Sequence, residues 1–133
     1  MHRQIPGIKL LASAIAAIGL LAAGATVAQV KRTPVLSADV AAPNREAVVV
    51  RGEIAPGASA PRHTHPGDEI SYVMEGEVEL LIDGAAPRVI KAGEAFVVPA
   101  GTVHGARNAG AVPLRFVGVY VVDKGKPLAV PAP

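Results

Sequence analysis

The sequence predicts an all-β domain. From Glu46 onward, short Val-rich runs are separated by Gly and Pro turns, at the spacing of about 8 to 12 residues that is typical of a sandwich or barrel of strands. The runs are rich in β-branched residues and alternate between apolar and polar positions, as strands with one buried face do. No helical pattern longer than two turns follows residue 28.

Four runs carry the strand pattern: EAVVVRGEIAPG, EISYVMEGEVELLIDG, VIKAGEAFVVPAG and PLRFVGVYVVDKG. In the second run, Val78, Leu80 and Ile82 alternate with residues that are mostly acidic, which predicts that these three side chains face the core. Gly52 lies in register with the apolar positions of the first run. A glycine at such a position indicates a bulge or the close approach of another group, and it can leave room for a ligand.

The flanks of this region differ from it in composition. The strand pattern covers residues 46–122, and 133 residues in all are enough for a single domain. Residues 29–45 mix Pro with polar and short apolar pieces, which indicates a linker or an edge strand. Residues 123–133 contain too much Pro for a central strand, so we expect a tail that runs over the surface.

Residues 1–28 have the pattern of an export signal. Basic residues come first, an uncharged stretch from Leu10 to Ala28 follows, and small residues near its end offer cleavage sites. The alternative is an uncleaved anchor, because the uncharged stretch approaches the roughly 20 residues that span a bilayer. In both cases the domain is delivered outside the cytoplasm, so the expected location is periplasmic or secreted.

Composition excludes several classes of function. Without Arg3 and Lys9 of the signal, the 13 basic residues become 11 and equal the 11 acidic residues, so there is no basic surface for nucleic acid. The absence of Cys excludes disulfides, thiolate ligands and a Cys nucleophile. Aromatic residues make up only 3% of the chain, so we expect the core and any pocket to consist mainly of Val, Ile, Leu and Ala.

Three histidines outside the signal are candidates for a metal site. His63 and His65 are two residues apart in a predicted strand, so their imidazoles point to the same face. The Pro66-Gly67 turn then leads to Glu69 at the start of the next strand, which can point back to the same place. His104 follows the turn PAGTV at the end of another strand. We expect these four side chains to converge.

The chemistry of these donors limits the cofactor. Three imidazoles and one carboxylate suit a divalent transition metal, namely Fe, Mn, Ni, Cu, Co or Zn, and suit Ca or Mg poorly. A six-coordinate metal held by His63, His65, Glu69 and His104 keeps two positions open. Open positions accept water, O₂ or a bidentate substrate, which distinguishes a working site from a closed structural one.

Two motifs in this region resemble those of the cupin superfamily. The pattern G-x5-H-x-H-x3-E-x6-G and the pattern G-x5-P-x-G-x2-H-x3-N are both complete. Their ten positions are Gly57, His63, His65, Glu69, Gly76, Gly93, Pro99, Gly101, His104 and Asn108. The short distance between the two motifs is similar to that of small single-domain bacterial cupins.

The resemblance implies a double-stranded β-helix, or jelly roll, that holds one divalent metal through His63, His65, Glu69 and His104. It implies no single reaction, because similar cupins include dioxygenases, decarboxylases, isomerases, binding modules and storage proteins. We expect a dioxygenase-like oxidoreductase that acts on a small oxygen-bearing molecule, with Glu69 as ligand and catalytic proton acceptor. The alternatives are a non-enzymatic module that binds or senses a small ligand or metal, and a cupin isomerase or decarboxylase.

Residues beside the motifs have less specific roles. Alternation places Ser71 on the pocket face with Glu69, where it can bind a substrate or its own backbone. Asp68 is expected to be a solvated turn residue, Arg107 a surface charge, and Asn108 a support for its turn. The sequence places no further Arg, Lys or Tyr in the pocket.

The predicted partner is another copy of the chain. Tyr72 and Met74 point outward from their strand and form an apolar edge, so we expect a homodimer. The expected ligand or substrate is a small molecule. No nucleic acid is expected, and no membrane contact beyond the signal segment.

Overall fold

The computed structural model describes residues 30–133, which form two five-stranded antiparallel sheets. The ten strands are β1 (Val30–Asp39), β2 (Arg45–Ile54), β3 (Ser59–Thr64), β4 (Gly67–Glu75), β5 (Glu77–Ile82), β6 (Arg88–Lys91), β7 (Ala95–Val98), β8 (His104–Arg107), β9 (Leu114–Asp123) and β10 (Val130–Pro131). The predicted export signal, residues 1–28, lies outside the described residues. Within residues 30–133 no helix is long and apolar enough to cross a bilayer.

The chain passes repeatedly between the two sheets. The first sheet has the order β1-β2-β9-β4-β7, and the second has the order β10-β3-β8-β5-β6. From β2 onward, every connection except that between β5 and β6 leads from one sheet to the other. This interleaving is the double-stranded β-helix, so the predicted fold is confirmed.

One predicted run divides into two strands. The segment VIKAGEAFVVPAG contributes β6 to the second sheet and β7 to the first. Gly93 lies between them with φ of 89°, in the left-handed region that glycine adopts without strain. The Ala92-Gly93 turn therefore separates the two sheets at this point.

The core lies between the sheets and is mainly aliphatic. Val78 and Leu80 are buried and Ile82 is half-buried, as the alternation predicts. The buried cluster is Ile54, Ala58, Ala60, Val73, Val78, Leu80, Ile90, Phe96, Val98 and Leu114.

Gly52 does not leave room for a ligand, contrary to that interpretation of the sequence. A Cβ atom at Gly52 would lie 2.1 Å from Cζ of Phe116, so the phenyl ring fills the space that the missing side chain leaves. The alternative interpretation, the close approach of another group, is the one the structure shows.

The two flanking segments both form strands at sheet edges. Within residues 29–45, β1 pairs along its whole length with β2, and Arg32 lies opposite Gly52. In the tail, β10 pairs with β3 of the second sheet, with Val130 opposite Thr64. Edge strands tolerate Pro because one of their sides needs no backbone partner.

The outer face of the first sheet carries an apolar row. This row runs across all five strands through residues that lie opposite each other in neighbouring strands. In order across the sheet they are Val97, Ile70, Val119, Val49 and Leu36. Val97, Ile70 and Leu36 are 54%, 44% and 52% exposed, and the other two are half-buried. Tyr72 and Met74 extend this row and are also exposed.

We predict that a second copy of the chain covers this row in a homodimer, because an apolar face of this extent favours burial. Ile70→Glu should place a charge in the interface and convert the dimer to a monomer. The measurement is the mass from light scattering at micromolar concentration. Val89→Glu, at an exposed apolar position on the other sheet, is the matched control. A monomeric mass for the unmodified chain would contradict the prediction.

Candidate metal centre

The structure brings the four predicted ligands together between the two sheets. His63 lies in β3, His65 follows its end, Glu69 lies in β4, and His104 begins β8. One donor atom from each lies within 4.8 Å of all the others. The four residues are only 2% to 8% exposed. The site therefore joins both sheets, with Glu69 from the first and His63 and His104 from the second.

A bulge in β3 directs the two neighbouring histidines inward. Ala58 and Ala60 face the core, so regular alternation would turn His63 and His65 outward. The pairing of β3 with β8 shifts between Ala60 and His63, and the extra residue reverses the alternation. After the bulge, His63 lies opposite His104.

The donor atoms converge on one point. Oε2 of Glu69 lies 3.0 Å from Nε2 of His65 and 3.2 Å from Nε2 of His104. Nε2 of His63 lies 3.2 Å from Nε2 of His65. Each histidine thus presents the same nitrogen to a shared centre.

The other nitrogen of each ring is held by a backbone carbonyl. Nδ1 of His63 donates to the carbonyl oxygen of Pro61 at 2.7 Å, and Nδ1 of His104 donates to Thr102 at 2.9 Å. Nδ1 of His65 donates to the carbonyl oxygen of Leu128 at 2.6 Å. These bonds place the proton of a neutral ring on Nδ1 and leave a lone pair on Nε2.

This arrangement fits a cation. In the neutral rings, Nε2 of His63 and Nε2 of His65 both carry lone pairs and cannot hydrogen-bond to each other. A metal ion at the shared centre would accept both lone pairs, together with that of His104 and the charge of Glu69.

The electrostatics of the cluster also suit a cation. Burial disfavours the charged form of Glu69. Hydrogen bonds from His104 and His65, which these rings donate when they also carry a proton on Nε2, and from Ser71 outweigh it and hold the pKa of Glu69 well below its ordinary value. Burial lowers the pKa of His63, and a bond to the Pro61 carbonyl only partly opposes this. Glu69 is therefore ionised at neutral pH, and the ring of His63 is neutral.

Ser71 binds neither of its expected partners. It is fully buried on the pocket face, and its hydroxyl donates to Oε1 of Glu69 at 2.7 Å. One carboxylate oxygen is therefore occupied by Ser71, while the other faces the histidines. This bond fixes the rotation of the carboxylate.

The expectation that no Arg or Tyr stands in the pocket is wrong. Arg32 and Tyr120 line the cavity that His63, Glu69 and His104 border, and Phe96 and Phe116 form part of its wall. Three of the four Phe and Tyr residues of the chain are therefore here, although the remaining wall is aliphatic as predicted. The cavity volume is about 30 Å³, enough for roughly two water molecules.

Tyr120 lies directly across from Glu69 in the sheet. Its ring centroid is 4.8 Å from that of His65, and Gly118 gives it space, because a Cβ there would lie 2.8 Å from the Tyr120 hydroxyl. Burial and the negative charge of Glu69 raise the pKa of Tyr120 well above its ordinary value. The hydroxyl is therefore protonated and available as a donor.

One signal for these residues was present in the sequence. Alternation along PLRFVGVYVVD puts Leu114, Phe116 and Tyr120 on one face, which is the face of the pocket. Arg32 gave no such signal, because the pairing of β1 is not visible in its own sequence.

The other residues near the motifs have structural roles. Oδ1 of Asp68 accepts a hydrogen bond from the Ala100 amide at 2.9 Å, outside the pocket. Arg107 pairs with Glu79 at the surface. The amide group of Asn108 is fully buried and donates to the carbonyl oxygens of Ile54 and Val112, which supports its turn.

A family model described as "Cupin domain" matches residues 50–122. The chain belongs to the cupin family. This match contains all four candidate ligands and most of both sheets.

Curated relatives match over part of their length. The chain is 39% identical over 77 residues to germin-like protein subfamily 2 member 2 from Arabidopsis thaliana, covering 54% of this chain and 35% of the relative. It is 41% identical over 68 residues to oxalate oxidase 1 from Hordeum vulgare, covering 45% and 34%. The chain therefore spans about a third of the length of these relatives.

Solved structures show the same architecture. A double-stranded β-helix protein from Klebsiella pneumoniae is 31% identical with a TM-score of 0.65, over 79% of this chain and 86% of that one. DMSP lyase DddQ from Ruegeria pomeroyi is 25% identical with a TM-score of 0.63, over 77% and 51%.

We predict that Ser71→Ala weakens metal binding about 10- to 100-fold, the usual cost of losing a partner that orients a ligand. The change leaves Oε1 of Glu69 without its hydrogen bond and frees the carboxylate to rotate. The measurement is the dissociation constant of Co²⁺ from competition with a chelator. Ser71→Thr retains the hydroxyl and serves as the control. Equal affinities of the Ala variant and the unmodified protein would contradict this role.

Proposed function

We propose that this cupin is a metal-dependent oxidoreductase that acts on a small oxygen-bearing organic molecule. The observation that carries the proposal is the convergence of three Nε2 lone pairs and one carboxylate oxygen on a buried point. His63, His65, Glu69 and His104 would hold one divalent transition metal, namely Fe, Mn, Ni, Cu, Co or Zn. When bound, such a metal supplies a Lewis acid and, for the redox-active ions, an electron carrier.

The residues of the chain divide the remaining tasks. Glu69 provides the negative charge of the site, and Ser71 keeps its second oxygen in place. Tyr120 carries a proton close to Glu69 and can donate it to an oxygen of the substrate. The apolar walls exclude bulk water, which strengthens each of these polar interactions.

The position of Arg32 favours an acidic substrate. It lines the cavity but is itself exposed, so it stands at the entrance. Among residues 30–133, no carboxylate lies within ion-pairing distance of its guanidinium. A guanidinium free of such a partner can bind a substrate carboxylate through two parallel hydrogen bonds. The similarity to oxalate oxidases, whose name specifies a dicarboxylate, agrees with this chemistry.

A second candidate is a cupin that cleaves, decarboxylates or isomerises its substrate without O₂. The similarity to DMSP lyase DddQ favours it, as does the protonated Tyr120 beside Glu69, which forms a donor and acceptor pair. A non-enzymatic module that binds a small ligand or the metal would use the same pocket.

The place of action is also a proposal. The uncharged stretch within residues 1–28 supports export, and so a periplasmic or secreted protein. The absence of Cys is compatible with an oxidising compartment, because no thiol can be oxidised there.

The test of function begins with metal content and ends with turnover. Protein purified without chelator should carry close to one transition metal per chain, and the double variant His63→Ala, His104→Ala should carry none. Metal-loaded protein should then consume O₂ with at least one short carboxylate, enol, catechol or flavonol. Elemental analysis and an oxygen electrode provide the two measurements.

Glu69→Gln is the control for turnover, because it keeps the shape of the ligand and removes its charge. Stoichiometric metal in the double histidine variant would contradict the assigned ligands. Ligand binding without O₂ uptake, but with decarboxylation, cleavage or isomerisation, would establish the second candidate. Binding without any turnover would establish the binding module.

We predict that Arg32→Gln weakens the binding of oxalate to the metal-loaded protein about 10- to 100-fold, the loss expected for a charge-assisted contact of roughly 1.5–3 kcal/mol. Binding of uncharged catechol should remain within about twofold. Calorimetric titration measures both constants. Lys31→Gln removes the same charge from the neighbouring residue, which does not line this cavity, and should leave oxalate binding nearly unchanged. Equal losses in both variants would indicate only a general effect of charge.

A further inference from the structure

The three histidines of the site differ in how their rings are held. His63 and His104 each donate to a carbonyl two residues earlier in the chain, so the segment that carries each ligand also orients it. His65 donates to Leu128, which is 63 residues away. His65 therefore depends on a distant part of the chain for its orientation.

That distant part is the C-terminal segment, residues 127–133. Its strand β10 runs antiparallel beside the end of β3, directly before His65. Val130 lies opposite Thr64 and Pro131 lies opposite His63. The Ala132 amide donates to the carbonyl oxygen of Arg62 at 3.0 Å. The segment is thus attached beside two of the four ligands.

The side chain of Leu128 fixes the position of its carbonyl group. It is half-buried against Val50, Tyr120 and Val122, which form a small apolar cluster next to the site. Most of the remaining residues of the segment are exposed. This contact, the short β10 pairing and the hydrogen bonds that Ala132 and Pro133 make with Arg62 hold the segment in place. A segment with so few buried contacts has a low free energy of local opening.

We propose that the main-chain carbonyl of Leu128 positions His65 for the metal, so that docking of the C-terminal segment and metal binding are coupled. The inference rests on the proposed metal site. A docked segment keeps the proton of His65 on Nδ1 and its lone pair on Nε2. When the segment opens, the His65 ring loses its partner and can rotate away from the centre. By linkage, metal binding must stabilise the docked segment by the same factor.

The test compares the effect of one deletion in the unmodified chain and in two histidine variants. Deletion of residues 127–133 should weaken Co²⁺ binding about 10- to 100-fold, measured by competition with a chelator, and should change the visible spectrum of the Co²⁺ site. In a His65→Ala background the same deletion should have almost no further effect, because the group that the segment orients is absent. In a His63→Ala background it should retain its full effect, since Pro61 rather than the segment orients that ring.

A general structural role for the segment predicts a different result. The deletion would then weaken binding equally in all three backgrounds, and this outcome would overturn the proposal. Unchanged affinity and spectrum after deletion would overturn it as well, while metal binding by the full chain would leave the proposed function intact. Absence of metal binding by the full chain would overturn both.

Two further measurements keep the test decisive. If the shortened chain does not fold, Leu128→Asp replaces the deletion, because it expels the side chain from the cluster and removes no residues. In the full chain, metal loading should slow hydrogen exchange of the Ala132 amide about 10- to 100-fold more than that of the Lys124 amide, which donates to Asn44 outside the segment. Equal slowing of the two amides would overturn the coupling.

Discussion

Three imidazole rings and a carboxylate meet in the interior of this protein, and the proton positions at that point constrain the structure around it. Each Nδ1 is committed as a donor to a carbonyl oxygen, so each neutral ring directs a lone pair inward. Lone pairs 3.2 Å apart repel each other, and a positive charge between them would remove this repulsion. Such a charge would also balance the buried carboxylate of Glu69, whose burial without a partner would be costly.

The two sheets are arranged so that this meeting is possible. The first sheet supplies Glu69 with its support Ser71, and the second supplies His63 and His104 as cross-strand neighbours. A bound metal would therefore link the two sheets. Two apolar clusters occupy much of the remaining space between the sheets. Loss of the metal should accordingly affect the packing of both sheets, because its ligands are attached to each.

The groups around the metal centre form three levels of support. Ser71 orients the carboxylate, backbone carbonyls orient the rings, and the packing of Leu128 against Val50 and Tyr120 holds one of those carbonyls. Tyr120 has two roles, since it lines the cavity and also packs against Leu128. The wall of the cavity and the support of Leu128 therefore share one side chain.

The sequence by itself determined most of the strands, the four candidate ligands and the family. Val78 and Leu80 face the core because alternation requires it, and the spacing of the two motifs identifies His63, His65, Glu69 and His104 as one set. Only the tertiary structure showed how Ala60, His63 and His65 can all face inward, because the bulge after Ala60 arises from the pairing of β3 with β8. The same holds for Arg32 and Leu128. Both reach the site through strand pairing or packing with residues far away in the chain, and local periodicity carries no information about such partners.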